Sequence, residues 1–158
     1  GRLVDAYVDG HKYIFGKKAV IYGEEDFCTG LYHFLKEIGI EVVLIATGSK
    51  SGKLKKQLEE AGDMSENLQV VTDTDFEYIR SYCRESGADI LIGNSKGYYI
   101  SRELNIPLVR VGFPIHDRVG GQRIKHLFYE GTQELFDMIV NTMIAFKQDS
   151  SPVGYKYM

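Results

Sequence analysis

The sequence predicts an α/β fold: a three-layer α/β/α, Rossmann-like domain on a parallel sheet, flanked by N- and C-terminal helices. Three observations carry this expectation. Five short apolar runs, at residues 18–22, 41–46, 68–71, 90–92 and 108–111, are continuous rather than alternating. Such runs suit strands buried on both faces of a parallel sheet. Helical stripes alternate with them: Phe27, Leu31, Phe34, Leu35 and Ile38 form one, and Phe76, Ile79 and Cys83 another. Strand–helix alternation with right-handed crossovers gives a doubly wound sheet. The expected strand order is 3-2-1-4-5, with 68–71 as a short edge strand.

Taken in order, Leu3, Val4, Tyr7, Val8, His11, Ile14 and Phe15 recur at helical spacing, so residues 1–15 read as a connecting helix that Gly10 weakens. The first turn after a strand, Tyr22-Gly23-Glu24-Glu25-Asp26-Phe27, has no G-x-G-x-x-G. Three carboxylates stand where a pyrophosphate would meet the helix, and they complement the helix dipole themselves. The second turn, Gly48-Ser-Lys-Ser-Gly52-Lys53-Leu54, falls short of a phosphate loop twice: three residues lie between its glycines, and leucine follows the lysine. It reads as a solvated loop, with Lys55 and Lys56 pairing Glu59 and Glu60. A weaker anion site at this helix start is the alternative.

The third turn of interest is Gly93-Asn94-Ser95-Lys96-Gly97. Asn94 or Ser95 can cap the next helix, or both can line a cavity near the reversal of strand order. Cys28 and Cys83 fall on or beside apolar stripes and read as small core residues. His11 and His33 read as packed or hydrogen-bonded structural histidines. Leu135, Phe136, Ile139, Val140, Met143 and Ile144 form the last and strongest stripe; Asp149 to Met158 reads as a flexible tail.

Between the fifth strand and the last helix lies Gly112 to Gly131, where Pro114 and Gly120-Gly121 bar a helix between them. It carries Phe113, His116, Asp117, Arg118, Gln122, Arg123 and His126. Arg118 beside Asp117 reads either as an internal ion pair that fixes the turn or as part of a subunit interface or anionic pocket.

The totals exclude several classes. At 158 residues the chain fits one domain with a stable core. A net charge of -3 leaves no basic footprint for nucleic acid, and no apolar run is long enough to span a bilayer. Two widely spaced cysteines make neither a disulfide framework nor a zinc pattern, and a reducing cytoplasm is the expected setting. No catalytic constellation and no metal-ligand spacing emerges, so no catalytic residue and no metal ligand is expected here. The opening Gly1-Arg2, already inside a helical pattern and without an initiator methionine, reads as a sign of a fragment.

Phe113-Pro-Ile-His-Asp117-Arg118, followed by Gly121-Gln122-Arg123 and Tyr129-Glu130-Gly131, resembles the C-terminal domain of β-type subunits in the nitrogenase component 1 superfamily. The resemblance covers nearly all of this chain, yet only about the last third of a family subunit. The stretch Val119-Gly120-Gly121-Gln122 looks closest to the NifN-type branch, a scaffold on which the iron–molybdenum cofactor is assembled. What the resemblance implies is a heterotetramer with an α-type, NifE-like partner. The parent complex would carry an iron–sulfur cluster and a cofactor precursor, with no cluster ligand in this domain. Two alternatives stand: the same domain of a catalytic component 1 β-subunit or a related oxidoreductase, and a free-standing module for a small anion. An isolated fragment, its terminal helices uncovered, is expected to self-associate.

Overall fold

Ala19, Val20 and Ile21 have no exposure to solvent, because the strand that carries them has a neighbour on each side and helices over both faces. In this computed structural model, residues 10–49, 52–111 and 132–150 are described. The strands are β1 (Lys18–Gly23), β2 (Glu41–Thr47), β3 (Gln69–Thr72), β4 (Ile90–Gly93) and β5 (Leu108–Arg110). They form one parallel sheet in the order β3-β2-β1-β4-β5, as the apolar runs predict. The edge strand begins one residue later than expected, and Leu68 packs just outside it.

Four helices fill the crossovers: α1 (Glu25–Glu37), α2 (Lys53–Ala61), α3 (Phe76–Ser86) and α4 (Tyr98–Leu104). A single 3₁₀ turn over Ser95–Gly97 precedes α4. The predicted stripe of α1 is buried in full, from Phe27 to Ile38. Tyr32 lies on the same side and donates its hydroxyl to the Asp63 carbonyl at 2.6 Å. Each fully buried Leu, Ile or Phe of this kind contributes roughly 1.5–3 kcal/mol. On α3, Asp75 caps the start by accepting from the Tyr78 amide at 3.0 Å, which satisfies one orphan donor.

The chain divides into two compact units. Residues 16–112 form the sheet and its helices. The second unit takes the described residues of 1–15 and 113–158, that is, a helical segment at 10–14 and a long helix α5 (Thr132–Ser150). These two pack on each other closely. A Cβ at Gly10 would meet Val140 Cγ2 at 3.0 Å and Phe136 Cε1 at 3.2 Å, so a residue costly to helix propensity is here the one that lets the helices approach. Leu135, Phe136, Ile139 and Val140 are buried as the stripe predicts. α5 runs through Asp149 and Ser150, two residues into the stretch read as tail.

His33 corrects one expectation. It is exposed, with the Tyr32 ring beside it, centroids 5.5 Å apart. Its apolar sequence neighbours sit on the buried side of α1, and a step of one residue turns it away from them. His11 is half-buried and lies against Phe15, ring centroids 5.2 Å apart.

Candidate functional site

In a doubly wound sheet the ligand crevice opens at the carboxyl ends of the two strands where the order reverses, here β1 and β4. One residue before the end of β1 stands Tyr22, only 3% exposed. Its hydroxyl donates to the Asn94 carbonyl and accepts from the Gly97 amide at 3.0 Å. Its ring meets Phe76 edge-on, centroids 5.3 Å apart. A Cβ at either Gly93 or Gly97 would fall deep inside the space this side chain fills. The space beside the Gly93–Gly97 turn is therefore filled by the protein's own tyrosine, and two glycines make the room for it. Burial holds the Tyr22 phenol well above its ordinary range, so it stays a neutral donor.

The two flanking turns are also self-satisfied. Glu25 and Asp26 sit in the first turn of α1, where carboxylates complement the dipole. Glu25 then reaches across to accept from the Leu54 amide, 2.8 Å away, at the start of α2. The anion at that second helix start is thus a side chain of the chain itself. Among the described residues, Lys55 and Lys56 make no ion pair with Glu59 or Glu60; all four are exposed, where such pairs gain little.

Of the residues singled out from sequence, Asn94 and Ser95 are described. Asn94 Oδ1 accepts from the Lys96 amide at 2.9 Å and caps the 3₁₀ turn, while Ser95 is exposed. Capping accounts for the Asn94 side chain, and its backbone carbonyl accepts from the Tyr22 hydroxyl. Val111 donates its amide to the Gly93 carbonyl at 2.9 Å, so the chain leaves β5 beside that turn, as expected. Phe113, His116, Asp117, Arg118, Gln122, Arg123 and His126 lie outside the described residues.

Neither thiol is presented to a metal. Cys28 and Cys83 are buried, and desolvation raises both, Cys83 to about 12. Among the described residues no cluster of His, Cys, Asp or Glu is placed to hold an ion. The Thr47 hydroxyl, buried at the end of β2, has no hydrogen-bond partner, but one hydroxyl is not a ligand set.

One feature of this edge escaped sequence reasoning. Arg102 and Arg110 both stack on the Tyr98 ring, their guanidinium carbons 5.7 and 5.3 Å from its centroid. The Tyr98–Arg102 part, four residues apart on a helix, was legible from spacing; Arg110 arrives from another element.

Against known proteins, the family profile described as nitrogenase component 1 type oxidoreductase matches residues 1–144. The chain belongs to the nitrogenase component 1 family. The nitrogenase molybdenum-iron protein beta chain of Methanothermobacter marburgensis is 36% identical over 146 residues, 91% of this chain and 32% of that protein. The corresponding chain of Frankia alni is 38% identical over 147 residues, again 91% of this chain and 28% of its own length. A solved structure of nitrogenase Cp1 at pH 6.5 aligns over the whole chain, with a TM-score of 0.78 and 30% identity, across 35% of the solved chain. The chain thus spans about a third of the length of the nitrogenase relatives it matches. The sheet and helices derived above are a nitrogenase component 1 α/β domain of β type. No described helix is long and apolar enough to cross a membrane.

Proposed function

We propose that this chain is the C-terminal α/β domain of a β-type component 1 subunit, and that its work is to hold shape and subunit contacts in a complex with an α-type partner. The observation that carries this reading is the closed edge. Tyr22 fills the space beside the Gly93–Gly97 turn and Glu25 occupies the α2 start, so the chain's own groups stand at the strand ends where a nucleotide-binding domain of this fold class holds its ligand. The names of the relatives, molybdenum-iron protein beta chains, support the catalytic complex as the setting. The iron–sulfur and iron–molybdenum clusters of that complex would be held by residues outside those described here.

A second reading has one observation in its favour. A catalytic β-type loop is expected to carry histidines and a leucine after Asp-Arg, whereas Val119-Gly120-Gly121-Gln122 follows Asp117-Arg118 here. That departure favours the NifN-type scaffold, paired with a NifE-like subunit and handling a cofactor precursor without turnover.

Anaerobic purification of the subunit that contains this chain, co-expressed with an α-type partner, tests both. Association into a heterotetramer with iron and substrate reduction supports the catalytic reading. The same assembly with bound iron and no turnover supports the scaffold. Failure of the two chains to associate would remove the proposal.

A further inference from the structure

The arginines on the two sides of α4 differ in their company. Toward α3, Arg80 donates to Glu103 at 2.7 Å and also pairs with Glu77, and Arg84 lies 3.4 Å from Glu103. That network is internally neutralised, with Glu77 held below its ordinary range by the Arg80 hydrogen bond. On the other side, Arg102 and Arg110 share the Tyr98 ring, and Arg102 Nη1 also donates to the Tyr98 hydroxyl at 3.3 Å. Among the described residues neither of these two guanidiniums has a carboxylate partner, and both are exposed. Tyr98 itself is 41% exposed and its neighbour Tyr99 is 83% exposed.

We propose that the Tyr98–Arg102–Arg110 face is a docking surface for an acidic patch of the partner subunit. The proposal rests on the reading of this chain as one subunit of a larger complex, and it names the chemistry of one contact. Two like charges held on one ring repel each other, and carboxylates arriving between or beside them relieve that repulsion. Guanidiniums ordered by stacking offer planar forks to carboxylates at reduced entropy cost. Exposed tyrosine with arginine is also the composition that anchors protein interfaces. The chain's net charge of -3, and Glu103 on the same short helix, argue against a nucleic acid as the occupant.

The test uses the full subunit co-expressed with its α-type partner. Arg102→Glu with Arg110→Glu is compared with the milder Arg102→Gln with Arg110→Gln, and with Lys55→Glu plus Lys56→Glu on α2 as a charge-matched control. Thermal melting confirms that each variant folds. The face predicts that reversal lowers the recovered partner by roughly tenfold or more, that the Gln pair lowers it less, and that the lysine pair has little effect. Added salt should weaken the parent complex and leave the Gln pair less affected. Unchanged assembly in both arginine variants overturns the inference and leaves the subunit reading standing. An equal loss with the lysine pair overturns it as a general charge effect. Arginine-dependent binding of inorganic phosphate, with assembly intact, would give the face to a small anion instead. If the unsubstituted chains do not associate, the subunit reading and the inference fail together.

Discussion

The carboxyl edge of the sheet has two halves that solve the same problem in opposite ways. Around β1 and β2, four strong groups find partners inside the chain: the Tyr22 hydroxyl, the Gly97 amide, the Leu54 amide and the Glu25 carboxylate. Around β5 and α4, two arginines and two tyrosines are exposed, and among the described residues the arginines have no carboxylate partner. In a fold that usually holds its ligand at the switch point, groups satisfied there and arginines unpaired beside it support the proposed reading of a building block over that of a binding module.

The contrast breaks most easily at the closed half. Gly93→Ala puts a methyl group into the Tyr22 ring, with backbone on one side and the core on the other, so neither can give. A loss of about 3 kcal/mol is expected by denaturant unfolding, and Tyr22→Ala should recover part of it in the double variant. A cost near zero would mean that the tyrosine does not sit in the crevice. Tyr22→Phe is the milder cut. It removes two hydrogen bonds, leaves the Gly97 amide with its longer bond to the Asn94 carbonyl at 3.3 Å, and should cost about 1–2 kcal/mol, with the ring packing on Phe76 retained.

Glu25→Gln comes next, at about 1 kcal/mol, since it weakens a charge-assisted bond at a helix start. It sharpens the comparison in a second way: with the resident charge gone, the α2 start should take up phosphate measurably better than the parent chain does. Equal phosphate affinity in both would show that Glu25 is not what keeps that turn closed. The last contrast is silent at neutral pH. Burial raises the Cys83 thiol from 9.0 to about 12, so the folded state keeps a proton that the unfolded chain releases. Its contribution is complete below pH 9 and is lost as pH rises through the window up to about 12. Melting curves across that range should fall more steeply for the parent than for Cys83→Ala, and a thiol reagent should label neither cysteine until the chain unfolds.

The sheet order, the buried stripes at 27–38 and 135–140 and the acidic first turn of α1 were legible because each is written locally, in runs and periods a few residues long. The plug was not. Tyr22 meets Asn94 and Gly97 across more than seventy residues, and nothing near Tyr22 in sequence marks a hydroxyl that will be buried. Glu25 capping α2 is hidden for the same reason: its partner is 29 residues away. His33 was misjudged because sequence neighbours were taken for spatial ones, and the Lys–Glu pairing on α2 because correct spacing does not make an exposed pair hold. Asn94 was read rightly as a cap from its place before a short helix. The most recognisable stretch, Phe113 to Gly131, carries the family likeness but lies outside the described residues.

One titration reaches the central claim directly. The chain is placed in a calorimeter and a panel of adenine mono- and dinucleotides is added at neutral pH. A closed switch crevice predicts no saturable heat and no binding tighter than about 1 mM. A nucleotide that binds at about 10 µM or better, and loses its site in a variant of Gly23 or Glu24, would contradict the account.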